Sequence, residues 1–168
     1  GYLRGSRGVR CEAQQVILTS GAQQALALIA DLMLQPGDTV LTEDPGYRGA
    51  RAALGRGHHP MVPVPLRKQV LDIAALPRRA AACLLYSTPT HQYPMGGILD
   101  ISERLALLNW ASESGTWIIE DDYDSEFHFY QKPVAAIQGM FDETPVLYVG
   151  SFSKTLMPAL RLGYLVVP

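Results

Sequence analysis

Sulfur is scarce in this chain. Its two cysteines, Cys11 and Cys83, have no metal-like spacing, and they read as two buried, reduced thiols of a cytosolic protein. Neither sign of charge is in excess. Fourteen Lys and Arg against sixteen Asp and Glu leave a net charge of −2, which gives these residues no electrostatic footprint for DNA or RNA. No block of like charge forms a tail. No apolar run approaches the roughly 20 residues that cross a bilayer, so no transmembrane helix is expected. The opening "GYLRGSRGVR" is basic without an apolar core and does not read as a signal peptide. Internal repeats and low-complexity stretches are absent. The 15 glycines and 12 prolines are scattered, which fits many short loops and not a linker.

What the chain does hold is core. Hydrophobic residues make up 48% of its 168 positions, enough for one domain of ordinary size. Strand-like and helix-like runs alternate. "QVILTS" reads as a strand, and "GAQQALALIADLMLQPGD" as a helix with Ala25, Leu28, Ile29, Leu32 and Met33 at helical spacing, stopped by Pro36-Gly37-Asp38. "TVLTE" is a strand. "PGYRGARAALGRG" opens with Pro45 as a short helix ending in glycine. "PMVPVPL" is extended, "VLDIAALPRRA" a short helix, and "ACLLYST" a buried strand. "DISERLALLNWASESG" is a helix with Asp100 or Ser102 as N-cap and Gly115 at its stop. "TWIIEDD", "PVLYVGS" and "RLGYLVV" complete the strands. The fold class is therefore α/β, a mainly parallel sheet sandwiched by helices.

In such sheets, ligands bind beyond the carboxyl ends of the strands. The strands deliver there Ser20-Gly21-Ala22-Gln23, Asp44-Pro45-Gly46-Tyr47, Thr88-Pro89-Thr90-His91-Gln92, Asp121-Asp122-Tyr123, and Ser151, Ser153 and Lys154. Polar and aromatic groups from distant segments thus meet on one edge, which argues for a site. Gly21-Ala22-Gln23 at a helix start suits an anion, through free N–H groups and the helix dipole; an ordinary helix start fits the same residues. In "IIEDDYDSEF" a carboxylate is open to three roles: metal ligand, base, or partner of a buried cation. Asp124 and Glu126 read as solvated. Asp121, at the strand end, reads as buried opposite a ligand cation, with Tyr123 on its face by the period of two. Lys154 in "SFSKTLMPALRLG" is a solvated lysine or a desolvated nucleophile able to form a Schiff base. The flanking serines and Arg161, which suit a phosphate, weigh against the first reading. No metal is expected.

A lysine nucleophile, phosphate donors, an acid, a tyrosine and a stacking aromatic at Tyr47 fit pyridoxal 5'-phosphate. "SGAQQAL", "EDPGYRGAR", "TPTHQYPMG", "EDDYDSEF" and "SFSKTLMPALRLGY" resemble the aminotransferase-like domain of the MocR group of GntR-type transcription regulators, and more broadly the fold-type I pyridoxal-phosphate enzymes. The resemblance runs over essentially the whole chain. It implies that Lys154 is the Schiff-base and catalytic residue, that Asp121 meets the pyridine nitrogen, that Tyr123 meets the ring hydroxyl, and that Tyr47 stacks on the ring. It gives Gly21, Ala22, Gln23, Ser151, Ser153 and Arg161 to the phosphate. Thr88 stands where many aminotransferases carry an asparagine before the proline. Gly49 stands where some regulators use an arginine for an effector carboxylate, which would mean a different effector here.

The resemblance also implies that residues 1–168 are part of the large domain, without the winged helix that binds DNA and without the C-terminal small domain. It implies a cytoplasmic homodimer, an amino-acid or amine-like effector, DNA contact through the winged helix alone, and no membrane. Three readings follow. The first is a cofactor- and effector-sensing domain of a regulator. The second is part of an aminotransferase moving amino groups between amino acids and 2-oxo acids. The third is an α/β fragment that binds nothing. Of the remaining histidines, His58 and His59 read as solvated, His128 as packing, and His91 lies near the expected site.

Overall fold

The computed structural model describes residues 2–78, 82–124, 134–152 and 162–168. A short helix, α1 (Tyr2–Arg7), precedes strand β1 (Val16–Thr19) and helix α2 (Ala22–Met33). Then come β2 (Val40–Asp44), α3 (Arg48–Leu54), β3 (Met61–Arg67), β4 (Val70–Leu71) and β5 (Leu84–Ser87). Helix α4 (Ile101–Ser114), β6 (Trp117–Asp122), β7 (Val146–Ser151) and β8 (Gly163–Val166) follow.

Eight described strands form one sheet in the order β1-β8-β7-β6-β5-β2-β3-β4. The pairs from β3 through β7 are parallel, whereas β8 runs antiparallel to both β7 and β1. That double reversal turns β1 back to the direction of the central strands. The carboxyl ends of β1, β2, β5, β6 and β7 therefore share one edge, as the sequence predicts.

Alternation along the strands sorts the core into two layers. Leu84, Tyr86, Ile119, Leu147 and Val149 face Ala25, Leu26, Ile29, Ala50 and Leu54 of α2 and α3. Leu41, Val64, Leu85 and Ile118 face Leu107, Leu108 and Ala111 of α4. A smaller cluster of Val9, Ala136, Tyr148, Tyr164 and Val166 lies near β8. Helix α4 starts as expected: the Asp100 side chain accepts from the Glu103 amide and the Glu103 side chain accepts from the Asp100 amide, a reciprocal cap. It ends at Gly115, whose φ of 70° is left-handed.

Five expectations need correction. The described part of "VLDIAALPRRA" is not a helix: Val70 and Leu71 fold back as β4 on Leu66 and Arg67, and Ile73–Ala75 is a single 3-10 turn. The reversal is made at Lys68 and Gln69, both with positive φ, a turn that apolar spacing alone does not reveal. The helix after β2 starts at Arg48, with Tyr47 as its N-cap and Pro45 ahead of it. The buried stripe of α2 is Ala25, Leu26, Ile29 and Ala30, and Leu32 is 77% exposed. The sheet receives α2 one residue around the helix from the expected face. Finally, Cys11 and Cys83 are free thiols but only half-buried, and His59 is likewise half-buried while His58 is exposed.

Candidate functional site

At the carboxyl edge, β1 leads into α2 through Gly21, whose φ of 82° no side chain tolerates well. A Cβ on Gly163 would lie 2.8 Å from the Gly21 backbone, so both glycines are needed for β8 to pass this turn. The turn leaves the first amides of α2, at Ala22 and Gln23, at the edge of the sheet. Gln23 Nε2 donates to Tyr47 Oη at 3.1 Å. Gly49 sits against the same ring: a Cβ there would lie 2.4 Å from it and 2.7 Å from Gln23 Nε2. Any larger residue at 49 has to move Tyr47.

The Tyr47 ring meets Tyr93 edge-on with centroids 5.7 Å apart, and Tyr93 meets Tyr123 edge-on at 5.9 Å. Tyr123 stacks on His91 at 5.9 Å. Its hydroxyl lies 3.2 Å from His91 Nδ1, which is also 2.9 Å from Asp124 Oδ2. Asp124 therefore is not a solvated turn residue; its side chain is 18% exposed and paired with His91. Spacing does not reveal that partner, since 33 residues separate the two.

The three consecutive acids of β6 have three separate surroundings. Glu120 accepts from the Ile137 and Gln138 amides and lies 3.7 Å from Arg104. Burial pushes its carboxyl up to about 7, against the pull of Arg104. Arg104 is itself fully buried and donates to the carbonyls of Leu99, Pro89 and Ala135. Asp122 accepts from the Tyr148 hydroxyl and lies 3.6 Å from Arg7 Nε. Asp121 points to the opposite face. Tyr86 donates to its Oδ2 at 2.7 Å, while its Oδ1 is buried with no hydrogen-bond partner among the described residues. Burial pushes Asp121 up to about 7, the Tyr86 bond lowers it, and Asp122 and Glu43 raise it. A fully buried carboxylate with one open oxygen suits a cationic N–H donor from a ligand.

Beneath these groups, Glu43 ties β2 to β5. Its carboxylate accepts from Ser87 Oγ at 2.6 Å, Thr88 N at 3.0 Å, Thr88 Oγ1 at 2.7 Å and Gln92 Nε2 at 3.0 Å. Gln92 Nε2 also reaches the carbonyls of Pro45 and Tyr93. The loops that carry Tyr47 and Tyr93 are thereby fastened to one buried carboxylate, whose own value burial raises.

Of the sequence-predicted site residues, Gly21, Ala22, Gln23, Tyr47, Thr88, Asp121, Tyr123 and Ser151 all lie at this edge. Contacts link Gln23, Tyr47 and Tyr123 through Tyr93. The Thr88 hydroxyl is committed to Glu43 and accepts from the Tyr93 amide. Ser151 ends β7. Ser153, Lys154 and Arg161, like Glu126 and His128, lie outside the described residues. Sequence reasoning missed Tyr86, Tyr93 and Glu43. Among the described residues no group of three or more His, Cys, Asp or Glu is arranged to hold a metal ion, and no helix is long and apolar enough to cross a membrane.

The family described as aminotransferase class I and II matches residues 2–168. The chain is 41% identical over 167 residues to the probable rhizopine catabolism regulatory protein MocR of Rhizobium meliloti, covering 99% of this chain and 34% of that protein. It superposes with a TM-score of 0.88 and 32% identity on kynurenine aminotransferase of Pyrococcus horikoshii, in complex with PMP, covering 98% of this chain and 43% of that one. LysN, the alpha-aminoadipate aminotransferase of Thermus thermophilus, complexed with N-(5'-phosphopyridoxyl)-L-leucine, gives a TM-score of 0.84 and 32% identity over 92% of this chain and 41% of that one. The chain thus spans about a third of the length of the regulator and two fifths of the enzymes.

Proposed function

The chain belongs to the aminotransferase class I and II family, and on that premise we propose that it is the pyridoxal-phosphate-binding, effector-sensing part of a MocR-type transcription regulator. The identity to the MocR protein over nearly the whole chain carries the regulator reading. The open, buried Oδ1 of Asp121 supports the cofactor: a protonated pyridine nitrogen is the donor that such an oxygen lacks. When bound, pyridoxal phosphate supplies an electron sink beside an amine nitrogen.

The chain's own residues divide the work. Asp121 accepts the hydrogen bond of the ring nitrogen and holds it cationic. Tyr123 orients the ring hydroxyl, and Tyr47 covers the ring face. The amides at Gly21, Ala22 and Gln23, with Ser151, Ser153 and Arg161, bind the phosphate. Lys154 would supply the primary amine that holds the cofactor, and an amine-bearing effector would compete with that amine. Thr88 buttresses the site through Glu43. Residues 1–168 would form part of the large domain of a cytoplasmic, homodimeric protein whose winged helix and small domain lie outside this sequence. The effector would be an amino acid or amine, and DNA would be bound by the winged helix alone.

A second reading, an aminotransferase proper, is favoured by the likeness to kynurenine aminotransferase. In that case the Lys154 amine would also act as a general acid and base, taking and returning a proton at the substrate carbon. The test is made on the whole protein. Added cofactor should give a visible absorbance band that Lys154→Ala abolishes, and amines should change DNA affinity without amino transfer to a 2-oxo acid. No band with the wild type would sink both readings. Steady transfer, with no winged-helix segment encoded upstream, would select the enzyme.

A further inference from the structure

The two oxygens of Asp121 are not equivalent. Oδ2 accepts from Tyr86 at 2.7 Å, and Oδ1 accepts from no group among the described residues. Tyr86 stands on β5 beside Ile119 of β6 and is 2% exposed, so its ring is fixed in the layer under α2 and α3. Its hydroxyl is carried on a rigid ring, and a planar carboxylate anchored at one oxygen has its other oxygen fixed in direction. We propose that Tyr86 is the positioning residue for the cofactor-binding acid: its phenol anchors Oδ2 and leaves Oδ1 as the acceptor for the pyridine nitrogen. This rests on the cofactor reading above.

The electrostatics agree with the geometry. Burial and the nearby Asp122 and Glu43 all favour the neutral acid at Asp121, and the Tyr86 bond opposes them. Tyr86 itself is raised well above the ordinary phenol range by burial and by Asp121, so it stays a donor wherever Asp121 titrates. Without that donor, Asp121 takes up a proton at higher pH, and a neutral acid no longer pairs with a pyridinium.

Tyr86→Phe removes the hydroxyl and keeps the ring. Binding of pyridoxamine 5'-phosphate, which needs no covalent bond to lysine, should be followed by equilibrium dialysis against pH in the whole protein. Loss of a charged hydrogen bond of this kind predicts affinity roughly ten- to a hundredfold weaker at neutral pH, recovering as pH rises. The Asp121 carboxyl carbon resonance in ligand-free protein, assigned by its loss in Asp121→Asn, should titrate at higher pH in Tyr86→Phe than in the wild type. The Tyr86→Phe effect should vanish in an Asp121→Asn background. Tyr86→Met, also lacking the donor, serves if Tyr86→Phe does not fold. An affinity loss equal at all pH values, an unmoved Asp121 titration, or an effect that persists without Asp121 would overturn the inference. A wild type that binds no pyridoxamine phosphate would overturn the cofactor reading, and the inference with it.

Discussion

Burial holds Asp121 near 7 in the folded chain against an ordinary 3.8, and that difference acts on stability as well as on binding. A carboxyl raised on folding contributes stability that is fully present below its unfolded value and is lost as pH rises through its folded value. Folding stability from this group should therefore fall between pH 3.8 and about 7. Asp121→Asn should flatten that fall and make the ligand-free protein more stable at pH 8. The gain is at most a few kcal/mol, roughly 1.4 for each pH step separating the folded and unfolded values. The same variant should lose cofactor affinity, the usual exchange of stability against function at a ligand site. Scanning calorimetry across pH with and without cofactor reads both; an unchanged melting temperature at pH 8 would contradict the cost assigned to burying this carboxylate. Asp121 and Tyr123 were legible in the sequence because strand alternation puts them on one face at a strand end. Tyr86, Tyr93 and Glu43 were not, because their roles are set by the strand or loop packed beside them.

Among the elements, α4 was the most legible, since both of its ends are written in single residues, Asp100 and Gly115. Nothing lies within 4 Å of a Cβ placed on Gly115, so Gly115→Ala should cost only the left-handed backbone, about 1 kcal/mol. Leu107, fully buried under the sheet, should cost about 2–5 kcal/mol on truncation to alanine. On α2, by contrast, Leu32→Ala should change stability by less than about 0.5 kcal/mol, since the side chain is 77% exposed. Urea unfolding midpoints at constant slope check all three. A large loss at Leu32 would show that a partner covers it. Helix α1 and the turn into β4 were invisible in sequence: α1 has only six residues, and β4 depends on which strand Val70 and Leu71 fold back upon.

For the whole molecule, the β–α alternation predicted the parallel sheet and the edge where the candidate site residues lie. It did not reveal the inner fastening of that edge to the opposite layer. Arg104 joins the loop after β5, the start of α4, residue 135 and Glu120 of β6. Its truncation leaves Glu120 buried without its cation, and Arg104→Ala should cost about 3–5 kcal/mol. Chemical denaturation measures it, and a variant of unchanged stability would show the network to be dispensable. Cofactor added to the wild type should raise the melting temperature with concentration, as any ligand of the folded state does.

The pairing of β1 with β8 has a consequence for how the chain is made. Val16 meets Val166, and Thr19 meets Gly163, so β1 waits for β8, which comes after all the central strands. The Gly21 turn is packed by Gly163, and the amides after it take their final place only then. During synthesis, a nascent chain must carry β1, with Ile17 and Leu18 exposed even in the finished fold, past every central strand before its partner emerges. Such distant pairing makes folding slow. The corner of the sheet at Gly21 thus closes only once β8 has formed, long after the residues of β1 and α2 have been made.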